Sequence, residues 1–105
     1  MSEVRVVSTQ RAGRVIPRRL HGLRAAVVVL KPDGCMAWHS TQAREEILVP
    51  LAGRVVLETR TPRGAHRRYA LSADRCAWLP VRTLHRVVNA SGSDARYLYV
   101  TAPSR

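Results

Sequence analysis

The chain has 105 residues, enough for one domain and too few for two, and a domain of this size buries only about two thirds of its unfolded surface. Hydrophobic residues make up 46%, phenylalanine is absent, and valine, alanine and leucine dominate, which suits strands better than a large aromatic core. Lysine and arginine number 18 against 7 acids, a formal net charge of +11, but Lys31 is the only lysine and the arginines are scattered without interleaved aromatics, so nucleic-acid binding is disfavoured against a solvated basic surface.

Residues 4–7 read as a short edge strand and 8–13 as a polar loop, followed by a run of arginines with His21 beside Gly22 in a loop. The continuous apolar run of Ala25 to Val29 marks a strand over 24–30 whose faces alternation alone cannot assign. Pro32, Asp33 and Gly34 supply a turn, proline by presetting one backbone angle and glycine by tolerating the left-handed region. The next strand, 36–41, has a period of two that puts His39 and Thr41 on one face and Trp38 and Ser40 on the other. Strands at 46–49 and 54–60 are separated by Pro50 to Gly53, and 61–65, with Pro62 and Gly64, is a hairpin loop leading into 66–71. Ala73 and Asp74 form a turn in which Asp tolerates a positive φ. Residues 76–79, 85–89 and 96–100 complete the series, with a loop at 91–93. Many short strands at intervals of about 8 to 12 residues imply a sandwich or barrel.

Two features concern location and redox state. No apolar stretch of about 18 residues and no signal-peptide order is present, so a soluble cytoplasmic protein without membrane contact is the expectation. Cys35 and Cys76 are too few for a disulfide framework and lack zinc-site spacing; both are expected to pack as small buried residues, with a redox or ligand role left open for Cys35 because it lies near His39.

Two stretches carry the chemistry. In the first, His39 is followed by Thr41, Glu46 and Gly53; in the second, Asp74 is followed by Pro80, Arg82, His85 and Asn89. These spacings resemble the two cupin motifs, in which histidine, histidine, glutamate and glycine are followed later by glycine, proline, glycine, histidine and asparagine. Thr41 stands where the second histidine would be, and Asp74 and Arg82 stand for two glycines. A register on Gly34 would put Ser40 and Gln42 at the histidine positions; the His39 register keeps an imidazole. The resemblance covers about 25–100 and implies an all-β, antiparallel jelly-roll barrel, with 1–24 as an N-terminal arm and edge strand of the same single domain.

It further implies a divalent metal ion, iron, manganese, nickel, copper or zinc, held by His39, Glu46 and His85, with Thr41, Gln42 or water at a fourth position. A period of two puts His85, Val87 and Asn89 on one face of their strand and Arg86 and Val88 on the other; an arginine has to reach water, so His85 faces the interior. Around Glu46 alternation is ambiguous, and its inward direction is implied by the resemblance alone. Arg82 or Arg44 is a candidate to orient a substrate carboxylate, and Trp38, Tyr97 and Tyr99 are candidates to line the site, although aromatic packing is the plainer reading. His66 is expected to be exposed and without a role, and no residue is assigned a catalytic part beyond metal binding. The implied activity is that of a metal-dependent oxidoreductase of dioxygenase type acting on a small polar molecule. A metal-dependent isomerase and a non-catalytic small-molecule-binding cupin are the alternatives, because one barrel hosts many chemistries. A small core and the family's habit also imply a homodimer.

Overall fold

The computed structural model describes residues 4–16 and 22–104, so His21 lies outside the described residues. Among the described residues there are nine strands and no helix: β1 (Gly13–Arg14), β2 (Arg24–Leu30), β3 (Cys35–Ser40), β4 (Arg44–Ala52), β5 (Val55–Arg60), β6 (His66–Leu71), β7 (Ala77–Leu79), β8 (Leu84–Asn89) and β9 (Ala95–Pro103). Among the described residues no helix is long and apolar enough to cross a membrane. One sheet has the order β1-β2-β9-β4-β7 and the other β3-β8-β5-β6, and every pairing is antiparallel. The two sheets enclose one core as the antiparallel jelly roll that the strand spacing and motifs predict.

Alternation decides what fills that core. On β4, Leu48 is buried while Ile47 is exposed; on β5 and β8, Val55, Leu57 and Val87 point inward to meet Leu71, Leu79, Ala95 and Tyr97. On β2, consecutive Ala25, Ala26 and Val27 are all buried, so both faces of this strand are covered there, which is why its sequence is a continuous apolar run rather than an alternating one.

The turns differ from expectation in several ways. Residues 4–7 form no strand, and Val4 and Val6 are exposed; the edge of β2 is taken instead by Gly13–Arg14. In the turn after β2 the left-handed residue is Asp33 at φ 62, not Gly34, while the Gly34 amide donates to the Lys31 carbonyl at 2.8 Å. Pro50 does not end β4: the strand continues to Ala52 through a register shift, the irregularity that lets a strand accommodate a residue without an amide hydrogen. Asp74 has no positive φ; its carboxylate accepts from the Ser72 hydroxyl at 3.0 Å, and the turn closes through the Arg75 amide. Cys35 and Cys76 are both exposed, Cys35 on the outward side of β3 and Cys76 in the loop before β7.

Gly53 is the motif residue whose need is clearest. It links β4 to β5 at φ 75, and an added Cβ would lie 2.8 Å from Ser91 Oγ and 3.1 Å from the Ala95 Cα, so both conformation and space demand glycine.

Candidate metal centre

The centre begins with an irregularity in β3. Met36 pairs with Val87, but the next pair is His39 with His85, three residues along β3 against two along β8, which is a β-bulge. The extra residue resets the alternation, so Met36 and His39, an odd number apart, both line the interior cavity. His39 therefore stands directly across from His85, with ring centroids 4.2 Å apart. Trp38 faces the other way: the Arg60 and Arg86 guanidinium carbons lie 4.6 and 5.1 Å from its ring centroid on the outer face of the sheet. Trp38 is thus no lining residue of the cavity, contrary to expectation.

Glu46 enters from the opposite sheet. Its neighbours Glu45 and Ile47 face outward, and Glu45 accepts a hydrogen bond from the exposed Trp78 indole at 3.0 Å, whereas Glu46 is buried beneath the cavity. The potential ligand atoms of His39, Glu46 and His85 all lie within 4.8 Å of one another. The Glu46 Oε2 to His85 Nε2 distance is 3.8 Å, too long for a hydrogen bond and within the span of two ligand bonds of about 2 Å each.

Both imidazoles are oriented through their other nitrogen. His39 Nδ1 lies 2.7 Å from the Ala37 carbonyl and His85 Nδ1 lies 2.9 Å from the Thr83 carbonyl. A carbonyl only accepts, so each Nδ1 carries the proton and donates, which leaves the Nε2 lone pair free. His85 Nε2 is buried without a hydrogen-bond partner among the described residues, a costly state for a polar atom. Two imidazoles with free Nε2 and a carboxylate form a donor set that fits a divalent transition metal.

Burial makes this set unfavourable without a cation. It pushes the Glu46 carboxyl up from its ordinary value of 4.5, against a smaller downward pull from His39. Burial likewise pushes His85 down from 6.5, opposed by its hydrogen bond to Thr83 and reinforced by His39. The phenol of Tyr97, which lines the same cavity, is raised by burial, with Glu46 and Tyr99 adding to the shift.

The remaining expected residues divide. Gln42, Arg44, Tyr97 and Tyr99 line the metal cavity. Arg44 is largely committed: its Nε donates to Thr101 Oγ1 at 2.8 Å, and its Nη2 donates to the carbonyls of Thr101 and Gly22. Thr41 is buried at the cavity wall, but its hydroxyl donates to the Pro80 carbonyl at 2.8 Å and accepts from the Thr83 amide at 2.9 Å, so it is a brace for the 80–83 turn rather than a spare ligand. Arg82 is not at the cavity. It takes the left-handed φ of 55 appropriate to a glycine position, its amide donates to the Gln42 carbonyl, and its side chain lines a different groove. Arg24, which pairs with Thr101 on the inward register of β2 and β9, lines the cavity and was missed from sequence; the only signal was its place at the start of the apolar run.

No protein-family model and no curated protein matches the sequence. Solved structures do. The Cnp3 cupin domain of Schizosaccharomyces pombe superposes with a TM-score of 0.76 at 13% identity, over 93% of this chain and 69% of that one. TT1209 from Thermus thermophilus gives 0.72 at 22% identity, over 91% and 87%. An oxalate oxidase gives 0.72 at 16% identity, over 78% of this chain and 42% of its own, so the present chain spans less than half of that protein. With the two motifs at their spacing and the jelly-roll sheets on the page, these likenesses identify the chain as a protein of the cupin fold.

Proposed function

We propose that this protein is a metal-dependent oxidoreductase of dioxygenase type that acts on a small polar, acidic molecule in the interior cavity. The observation that carries the reading is His85 Nε2, buried without a partner and facing Glu46 and His39. Two histidines and one carboxylate with open sides are the arrangement suited to non-haem iron and dioxygen chemistry. When bound, such an ion supplies a Lewis-acid and redox centre at which a substrate and dioxygen can meet.

The chain's own residues support the rest. The cavity has a volume of about 570 Å³, enough for a small molecule. Arg24 and the uncommitted edge of the Arg44 guanidinium supply positive charge at its wall, which favours a carboxylate-bearing ligand over a neutral one. Met36, Val87 and the buried ring of Tyr97 supply the apolar part of the lining. A similarity to an oxalate oxidase is compatible with an acidic substrate.

The test is dioxygen uptake by the iron-loaded protein with a panel of small carboxylic and hydroxycarboxylic acids. Uptake that depends on one acid and disappears in His85→Ala supports the proposal. Stoichiometric metal binding without uptake on any acid would leave a binding protein and remove the oxidoreductase.

A further inference from the structure

The interior cavity is matched by a second concavity of about 570 Å³, and the two share no lining residue. It opens where the sheets end: β6 is the edge of one sheet and β7, three residues long, the edge of the other, so the sandwich is not closed between them. Its floor is made by the core leucines Leu57, Leu71 and Leu79. Two aromatic residues flank it, Tyr69 at 43% exposure and Trp78 at 62%. Four arginines, Arg60, Arg67, Arg75 and Arg82, complete the lining, and no aspartate or glutamate is among the lining residues.

None of these four arginines belongs to an ion pair among the described residues. Carboxylates elsewhere are used: the buried Glu58 is claimed by Arg86 and His66, Asp94 by Lys31, and Glu45 accepts from the Trp78 indole at the groove's edge. Arg60 is stacked on Trp38 at the outer face, which leaves the guanidinium groups of Arg67, Arg75 and Arg82 at the groove without a carboxylate partner; a ligand that is both apolar and anionic covers the exposed Tyr69 and Trp78 rings and meets that charge. A nucleic-acid strand needs a track of charge with stacking faces along it, whereas this concavity has leucines at its base.

We propose that the groove between β6 and β7 binds a small organic anion with a flat apolar body, an aryl carboxylate in chemical class. The ring lies on the leucine floor between Tyr69 and Trp78, and the carboxylate meets the arginines. The volume lies within the range of small-molecule sites. No metal ligand lines this site, although its wall includes Thr83, whose carbonyl orients His85.

Cys76 provides the measurement. It lines the groove and is exposed, while Cys35 is exposed outside it, so the two thiols form a probe and an internal control. The rate of alkylation by iodoacetamide is followed at each cysteine by mass spectrometry, with 2-naphthoate, the neutral 2-naphthalenemethanol, or a short single-stranded oligonucleotide as competitor. The expected result is that naphthoate slows modification of Cys76 and not of Cys35. The methanol analogue should need about tenfold or more higher concentration for the same effect, and Arg67→Gln with Arg75→Gln should weaken naphthoate by a similar factor. Both arginines are exposed surface residues, and the thermal transition of the double variant checks that it folds. Protection by the neutral compound as strong as by naphthoate, unchanged binding in the double variant, protection by the oligonucleotide alone, or no protection by millimolar naphthoate would each overturn the assignment.

Discussion

Two buried glutamates, each beside a histidine, stand on opposite sides of the chain's chemistry. Glu58, on the outer face of the four-stranded sheet, is 4% exposed, and its oxygens accept from His66 Nε2 at 2.7 Å and from Arg86 at 3.2 and 3.3 Å. Glu46, under the interior cavity, is 7% exposed and lies 3.8 Å from a histidine nitrogen that has no partner at all. Burial raises the carboxyl pKa in both places, but at Glu58 the hydrogen bonds from His66 and Arg86, with Coulombic help from Arg86 and Arg68, more than offset it and the net shift is downward. At Glu46 burial prevails and the shift is upward. The lesson is that a buried acid beside a histidine marks a ligand site only where the other hydrogen-bonding groups have been withheld.

Substitution at the two centres should separate them most sharply. His85→Ala should lower metal affinity by more than the ~10–100-fold typical of losing an outer-shell partner, with the strand spectrum retained because β8 is held by β3 and β5. A chelator competition titration measures this. Glu58→Gln should leave metal affinity unchanged and cost about 1–3 kcal/mol in a urea denaturation experiment, since it removes the negative charge and one of the two acceptor oxygens that the Arg86 guanidinium and the His66 imidazole share. Equal effects of both substitutions on metal affinity would erase the distinction.

The braced turn gives an intermediate effect. Thr41→Val should leave the Thr83 amide without its acceptor and cost about 1–3 kcal/mol. Metal affinity should fall as well, within roughly 10–100-fold, because the carbonyl that orients His85 belongs to the same turn. Thr41→His, which restores a family histidine, should therefore fail to tighten binding without loosening the turn. Titration of both variants against the wild type decides it.

The dependence on pH should have opposite signs at the two acids. The folded pKa of Glu58 is depressed, so its contribution is fully present above the ordinary value of 4.5 and is lost as pH falls through the folded pKa. The stability gap between wild type and Glu58→Gln should accordingly narrow below about pH 4.5. The folded pKa of Glu46 is raised, so in metal-free protein the folded form binds the extra proton and stability falls as pH rises from 4.5 to the folded pKa. Metal-free Glu46→Gln should gain on the wild type over that window. Denaturation curves across pH 3 to 7 for the three proteins test both signs, pH 3 to 7 being about the range in which carboxylates titrate.

How far these features were legible depends on whether local alternation governed them. On β8 it did: Arg86 had to reach water, and His85, Val87 and Asn89 face inward as the period of two requires. Around Glu46 the neighbouring residues are polar on both parities, so only the family resemblance indicated its direction. The bulge in β3 left no trace in composition, and with it went the inward position of Met36. Arg82 and Trp38 lie close in sequence to motif residues yet point away from the cavity, one through a left-handed backbone and the other through strand alternation. The cysteines are exposed where the usual packing of free cysteine in cores suggests burial, and nothing local in the sequence indicates that Cys76 borders an open groove. Cross-strand pairing of Arg60 with His66 and of Glu58 with Arg68 sets up the outer cluster, and such register is not written in either strand alone.

A smaller effect should come from assembly. The expected homodimer stands as a proposal, with the exposed Val4 and Val6 as surface available to it. Sedimentation at micromolar concentration should give about twice the chain mass of 11.7 kDa, and a mass near 11.7 kDa would count against it.

The central claim is that the withheld hydrogen bonds at His85 and Glu46 are completed by a divalent metal ion. Elemental analysis of the purified wild-type protein, after growth in metal-replete medium and after loading in turn with iron, manganese, nickel, copper and zinc, tests it most directly. The account predicts about one ion per chain for at least one of these metals and loss of that ion in Glu46→Gln. A wild-type protein that stays metal-free under every loading condition would contradict it.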